Sequence, residues 1–300
     1  MPVPKYETLT SEQLYTQWRN VIVREYTGKN LTRGTDRLPA LSGIAKVFGR
    51  HLGVNYFGGL WGGDAHRSLL WSGTGDFKVS ESETYRAPTW SWASVDGPIT
   101  WPDFGNSDVV WHAAAQVKEI ATMPLDTDPT GQLSAGHLRL EGDLIKIIIK
   151  TFPEEAGGTL SLGRLKTPMG TRSRVSILKG RLETPLGNLS FDALELVFYE
   201  GEDRPGDLEI SPSVDGWKKV DEILFMPLLY CRGDGKSDSR IVLGLALSPV
   251  AGCVGSYKKI GVIQTSKYSV MKALMDRCRP KESQYYEEYD GGINYTIKVV

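Results

Sequence analysis

Between residues 56 and 111 the chain carries Tyr56, Phe57, Trp61, Trp71, Tyr85, Trp90, Trp92, Trp101, Phe104 and Trp111. So many large rings serve one of two ends. They fill a core, because aromatic side chains bury large areas and dominate packing. Or some of them line an apolar pocket, where indole N–H groups and tyrosine hydroxyls orient the polar atoms of a bulky hydrophobic ligand. On the pocket reading the wall is Tyr56, Trp61, Trp71, Trp90, Trp92, Trp101 and Trp111. The polar residues nearby also divide. His66 fits a helix surface or a cap, and equally a catalytic position. Arg67 and Arg86 can pair with Asp64 or Asp96, or donate to a substrate carbonyl. Asp103, between Pro102 and Phe104, reads as a turn residue, and Lys258-Lys259 as a solvated strand end.

Other chemistries lack their residues. There is no P-loop and no Gly-x-Gly-x-x-Gly between a strand and a helix. "GGLWGGD" is glycine-rich but has no Lys-Ser/Thr to cradle a phosphate. A Gly-x-Ser-x-Gly elbow and a His-Glu-x-x-His pair are both missing. The acidic pairs Glu154-Glu155, Glu287-Glu288 and Asp126/Asp128 lie in polar stretches that read as solvated. No nucleotide, flavin or metal cofactor is predicted.

Bulk composition narrows the partners. A net charge of -1 provides no field to draw nucleic acid or an anionic membrane surface. No apolar run reaches the roughly 18 residues of a membrane span. The N-terminus has no apolar signal core. Cys231, Cys253 and Cys278 are odd in number and widely spaced, which predicts a reduced, cytoplasmic setting. The oligomeric state is not legible.

Helices come first, then strands. Thr10 and Gln13 form a capping box ahead of a helix through "SEQLYTQWRNVIVREY", ending at Gly28. Leu14, Trp18, Val21 and Ile22 are its expected buried face. A second helix, capped by Asp36 and stopped by Gly53, buries Leu41, Ile44, Ala45, Phe48 and Leu52. A short third helix begins at Asp64. From Tyr85 the pattern alternates. "YRAPTWSWASV" reads as a strand with Trp90 and Trp92 on one face, and His112 points opposite to Trp111. Seven further strands precede a helix at "YSVMKALMDRC" and a closing strand at "NYTIKVV". The predicted fold is α+β and mostly β. It is a single domain over 1–300, with a helical part to residue 76. Two to three N-terminal helices pack on an antiparallel barrel or sandwich body spanning 77–300.

Several of these segments resemble the region that follows the HET domain in fungal heterokaryon-incompatibility proteins. "WRNVIVREYTGKNLTRGTDRLPALSGIAKVF", "NYFGGLWGGDAHRSLLW" and "YRAPTWSWASVDGPI" are similar to blocks of that family in the same order. "GLALSPVAGCVGSYKKIGV" and "NYTIKVV" are similar to its closing strands. The likeness is strongest over residues 18–99. The Ser-Tyr-x-Trp-Gly type motifs of the HET domain are absent, so cell-death signalling does not carry over, and the chain reads as a free-standing tail.

Two functional expectations follow. Free-standing fungal proteins without catalytic motifs include cofactor-free cyclases, and this chain resembles norbornene-forming Diels–Alderases of that kind. That resemblance implies a pericyclase acting on a terpenoid or polyketide intermediate. It would hold the reacting arms together and donate a hydrogen bond to a carbonyl. Tyr85, His66 and Arg67, or a tryptophan N–H, are the expected donors. The other expectation is a non-enzymatic sensing or protein-interaction module, acting through loops such as 126–136 or 201–216.

Overall fold

The computed structural model describes residues 8–29, 31–73, 78–79, 85–105, 109–150, 172–178, 181–184, 187–190, 194–199, 207–211, 222–232, 240–265 and 279–300. The predicted helix at 268–278, Cys278 and Glu154-Glu155 lie outside these residues. The fold is mostly β, with one large sheet and three N-terminal helical segments. The chain forms two compact units. One comprises Met1–Pro102, Val117–Arg139 and Val299–Val300, and the other Asp103–Gln116 and Leu140–Lys298. This division does not follow the residue-76 boundary read from the sequence. Among the described residues, no helix is long and apolar enough to cross a membrane.

In the first unit, the Thr10 and Gln13 side chains cap each other's backbone as the capping box requires. α1 (Ser11–Gln17) then runs through a π-helical turn, Trp18–Val23, into α2 (Arg24–Thr27) and ends at Gly28. The wider turn delays the return of the buried face by one residue. Leu14, Trp18, Val23 and Thr27 are buried, spaced by four, five and four residues. The expected face fails beyond Trp18: Val21 is 53% exposed and Ile22 half-buried. Arg19, one turn after the buried Tyr15, also faces inward, where its guanidinium pairs with the buried Asp64 carboxylate. Ser68 Oγ donates to that carboxylate at 2.7 Å. Burial lowers Arg19 to about 10.

α3 (Ser42–Leu52) stops at Gly53, whose φ of 63° is left-handed. Asp36 does not cap it; that residue lies in a preceding 3-10 turn, Gly34–Asp36. Leu41, Ala45, Phe48 and Leu52 are buried as predicted, but Ile44 is 40% exposed. At about 100° per residue, Ile44 lies off the centre of that stripe. α4 (Ala65–Ser68) follows the 3-10 turn Gly62–Asp64.

"RAPTWSWAS" is not a strand; a two-residue strand, Val95–Asp96, begins only after it. Ser91 N–H bonds the Pro88 carbonyl at 2.9 Å, and Trp92–Ser94 is a 3-10 turn. Ser91 Oγ accepts from Ala93 N–H at 3.1 Å, and Ser94 Oγ donates to the Ser91 carbonyl at 2.7 Å. Serine side chains that bond their own backbone offer the chain an alternative to the ladder, and here it takes that alternative. Trp90 and Trp92 are fully buried.

The second unit holds strands Ile145–Lys150, Arg172–Leu178, Leu194–Tyr199, Asp207–Ser211, Glu222–Arg232, Arg240–Pro249 and Ser256–Thr265. Each pairs with two of the others, because Arg172–Leu178 pairs with both Leu194–Tyr199 and Ser256–Thr265. Only the pairing of Ile145–Lys150 with Asp207–Ser211 is parallel. The expected 201–216 loop therefore contains a strand. Pro227 has no N–H for the ladder, and the register shifts between it and Leu229. Lys259 corrects another expectation: Lys258 is exposed, but Lys259 is buried, and burial pushes its ammonium well below the usual range. A second register shift, between Ala246 and Leu247, falls opposite it.

A tight joint in the first unit is the turn Gly58-Gly59. A Cβ on Gly59 would lie 2.3 Å from Trp92 Nε1, and φ there is 102°. Gly59→Ala is therefore expected to cost about 3 kcal/mol or more, from clash and left-handed strain together. Urea unfolding of the variant checks this.

Candidate functional site

The segment Tyr56-Phe57-Gly58-Gly59-Leu60-Trp61 is a minimal hairpin. Tyr56 pairs with Trp61 and Phe57 with Leu60. Both central residues have positive φ, 51° and 102°, the condition that makes Gly-Gly a favoured two-residue hairpin loop. Directly opposed residues point to the same face of such a ribbon. Tyr56 and Trp61 accordingly sit edge to face with ring centroids 4.9 Å apart. Trp18 meets both rings, at 5.8 and 5.5 Å, and Phe48 extends the cluster at 5.4 Å from Trp18.

The hairpin is fixed from behind. Trp18 Nε1 and Trp92 Nε1 both donate to the Gly59 carbonyl, at 2.9 and 3.0 Å. Ser91 Oγ donates to the Gly58 carbonyl. Gly62 N–H closes the ribbon on the Asn55 carbonyl at 3.0 Å.

In front of the hairpin lies an open groove of about 930 Å³. Tyr56, Phe57 and Trp61 form its aromatic wall. One face of α3 supplies Gly43, Lys46, Gly49 and Arg50. Thr122, Pro124, Pro129 and Thr130 line it from another side. Gly49 has a steric role here, because a Cβ would stand 3.4 Å from the Trp61 ring.

Two donors of the wall have no hydrogen-bond partner. The Tyr56 hydroxyl and the Trp61 indole N–H are both buried and unsatisfied. Burial pushes the Tyr56 hydroxyl well above the ordinary tyrosine range, so it stays protonated and able to donate. Each such orphan costs the fold about 1–3 kcal/mol.

The loop after Pro124 is tied to α3 by Asp128. Lys46 Nζ, Ser42 Oγ and Thr130 Oγ1 donate to its carboxylate at 2.7, 3.1 and 2.7 Å, and Thr130 N–H adds a fourth bond at 3.0 Å. The Lys46 ammonium, followed by Thr130, holds the Asp128 carboxyl well below the usual range. Asp128, read from the sequence as a solvated acid, is thus the anchor of one groove wall.

The structure separates the predicted wall residues. Tyr56 and Trp61 line the groove; Trp71, Trp90, Trp92, Trp101 and Trp111 do not. Trp71, Trp90, Trp92 and Trp101 are buried, and three of them have their N–H committed. Trp71 donates to the Trp90 carbonyl at 2.8 Å, Trp92 to Gly59, and Trp101 to Ser68 at 3.0 Å. Trp111, in the second unit, donates to the Phe104 carbonyl at 2.8 Å, while His112 stacks on Tyr230. None of Tyr85, His66 and Arg67 lines the groove. Arg67 forms an ion pair with Glu12 at 2.7 Å, and His66 is half-buried. Tyr85 is 45% exposed, although partial burial raises its hydroxyl to about 12. Arg86 pairs with Asp96, one of the partners the sequence offered, and Asp103 accepts from Gly105 N–H as a turn residue. The Gly-Gly dipeptide between Tyr56-Phe57 and Leu60-Trp61 was the available signal for the hairpin that sequence reasoning passed over.

Comparison with known proteins found no matching family model, no matching curated protein and no matching solved structure.

Asp128 ties groove stability to pH. Its folded-state pKa is depressed, so its contribution is complete above the unfolded value of about 3.9 and is lost as pH falls below it. Asp128→Asn should lower stability at pH 6 by roughly 1 kcal/mol, a value reduced by solvent screening. It should also flatten the acid-side decline of Tm between about pH 5 and 2. Melting curves of both proteins across that range measure it.

Proposed function

We propose that the groove binds a bulky, mostly apolar small molecule bearing a carbonyl-type acceptor, and that the chain acts on it as a cofactor-independent cyclase of the Diels–Alder type. One observation carries the reading: Tyr56 and Trp61 combine an aromatic wall with two buried donors that nothing in the fold satisfies. An acceptor on the ligand would satisfy them, and a hydrogen bond to the dienophile's carbonyl lowers the barrier to cycloaddition. The reaction forms two C–C bonds by rearranging π electrons, with no atom gained or lost. It calls for a held near-attack pose rather than a nucleophile, and the aromatic wall would hold one face of the ligand toward that pose. In this proposal the donors move from Tyr85, His66 and Arg67 to Tyr56 and Trp61.

The groove's open mouth favours a second reading, a ligand-sensing module without turnover. Two measurements separate them. Tryptophan fluorescence titrated with a bicyclic ketone such as 1-decalone should show saturable quenching. Tyr56→Phe should weaken binding by about tenfold, the worth of one hydrogen bond at the upper end. It should leave stability unchanged or raised, because it removes an unsatisfied hydroxyl, and Tyr85→Phe should leave binding unchanged. A synthetic triene aldehyde that cyclises no faster with the protein than in buffer would sink the cyclase and leave the sensor.

A further inference from the structure

A second set of unsatisfied donors lies elsewhere in the first unit, on residues that take no part in the groove. Arg37 and Arg86 are 2% and 8% exposed. They share a single carboxylate oxygen: Arg86 Nη1 reaches Asp96 Oδ1 at 2.9 Å and Arg37 Nη1 reaches the same atom at 3.4 Å. Arg37 Nη2 adds a long bond, 3.4 Å, to the Gly97 carbonyl. Arg37 Nε, Arg86 Nε and Arg86 Nη2 are buried with no partner. Charge-assisted bonds normally run about 2.7–2.9 Å, so Arg37 is weakly held.

The charges do not match. Among the described residues, two buried guanidiniums face one carboxylate, and that carboxylate is 46% exposed. An arginine stays protonated under all ordinary conditions, so one unit of positive charge stays uncompensated in a poorly solvated place. Burial and the neighbouring Arg86 both act to lower Arg37 from its usual range. The chain treats its other buried arginine differently, since Arg19 has a buried carboxylate of its own in Asp64. Gly34 packs directly against Arg86, since a Cβ there would come within 2.7 Å of Arg86 Nη1.

We propose that Arg37 and Arg86 form an oxyanion-binding site, receiving a carboxylate or phosphate group of a ligand that enters from the side of the exposed Asp96. Two planar forks suit the paired oxygens of such a group. Asp96 is then a built-in competitor, occupying one donor from each arginine until the anion arrives.

The competitor role gives a test that a merely structural cluster would fail. Full-length protein is titrated with sodium phosphate, sodium acetate and sodium chloride at matched ionic strength, by calorimetry and by Tm. Saturable binding of phosphate or acetate above the chloride response is expected, and the tighter of the two names the ligand group. Asp96→Asn should bind that anion at least about tenfold more tightly, because removing the carboxylate frees charge-assisted donors. Should Asp96→Asn fold only when phosphate or acetate is present, the proposal is equally supported. Responses no different from chloride in both proteins, binding no tighter in Asp96→Asn, or failure of that variant to fold in all three salts would overturn it.

Discussion

Two indole N–H groups converge on one carbonyl, that of Gly59, and the first unit is organised around that meeting. Trp18 arrives from the N-terminal helix and Trp92 from the Ser91–Ser94 turn. Neither bond can form unless the hairpin backbone comes within about 3 Å of both rings, an approach only a residue without Cβ permits. The consequence reaches forward as well as back. With the loop held at Gly58-Gly59, register forces Tyr56 and Trp61 onto one face, and that face is the groove wall.

The π-turn in the first helix does comparable work. By adding a residue to one turn it brings Trp18, Arg19 and Val23 to the interior together. A regular helix would have offered Ile22, four residues after Trp18, in place of Val23. Arg19 and Asp64 then link the first helix to the segment that enters α4. On the other flank, Asp128 binds the 125–130 loop to Ser42 and Lys46, one turn apart on α3. Three walls of the groove are thus set by contacts behind or beside it, which leaves the donors of Tyr56 and Trp61 uncommitted. Such groups are costly to a fold, and they draw attention to places where a ligand would complete the bonding.

Much of the frame was legible in order. The capping box at Thr10 and Gln13, the end at Gly28 and the left-handed stop at Gly53 rest on local rules that operate within a turn of helix. The strand-rich remainder followed from glycine spacing and apolar runs. "TWSWAS" misled because period-two tryptophans also fit a turn whose serines bond their own backbone, and alternation cannot distinguish the two. Lys259 misled for a different reason: adjacent lysines look solvated, yet from Lys259 to Ile263 both faces of the strand are covered.

By itself the sequence determined the mostly β class, the helix limits and the aromatic inventory, since propensity, capping and hydrophobic periodicity act over a few residues. Only tertiary structure decided which rings are core and which form a wall. Trp71, Trp92 and Trp101 give their N–H groups to backbone carbonyls 19 to 33 residues away, whereas that of Trp61 meets none. It likewise decided that Arg37 and Arg86, 49 positions apart, share one oxygen of Asp96. Whether a donor is satisfied depends on where distant backbone and charge come to rest, and no local pattern encodes that.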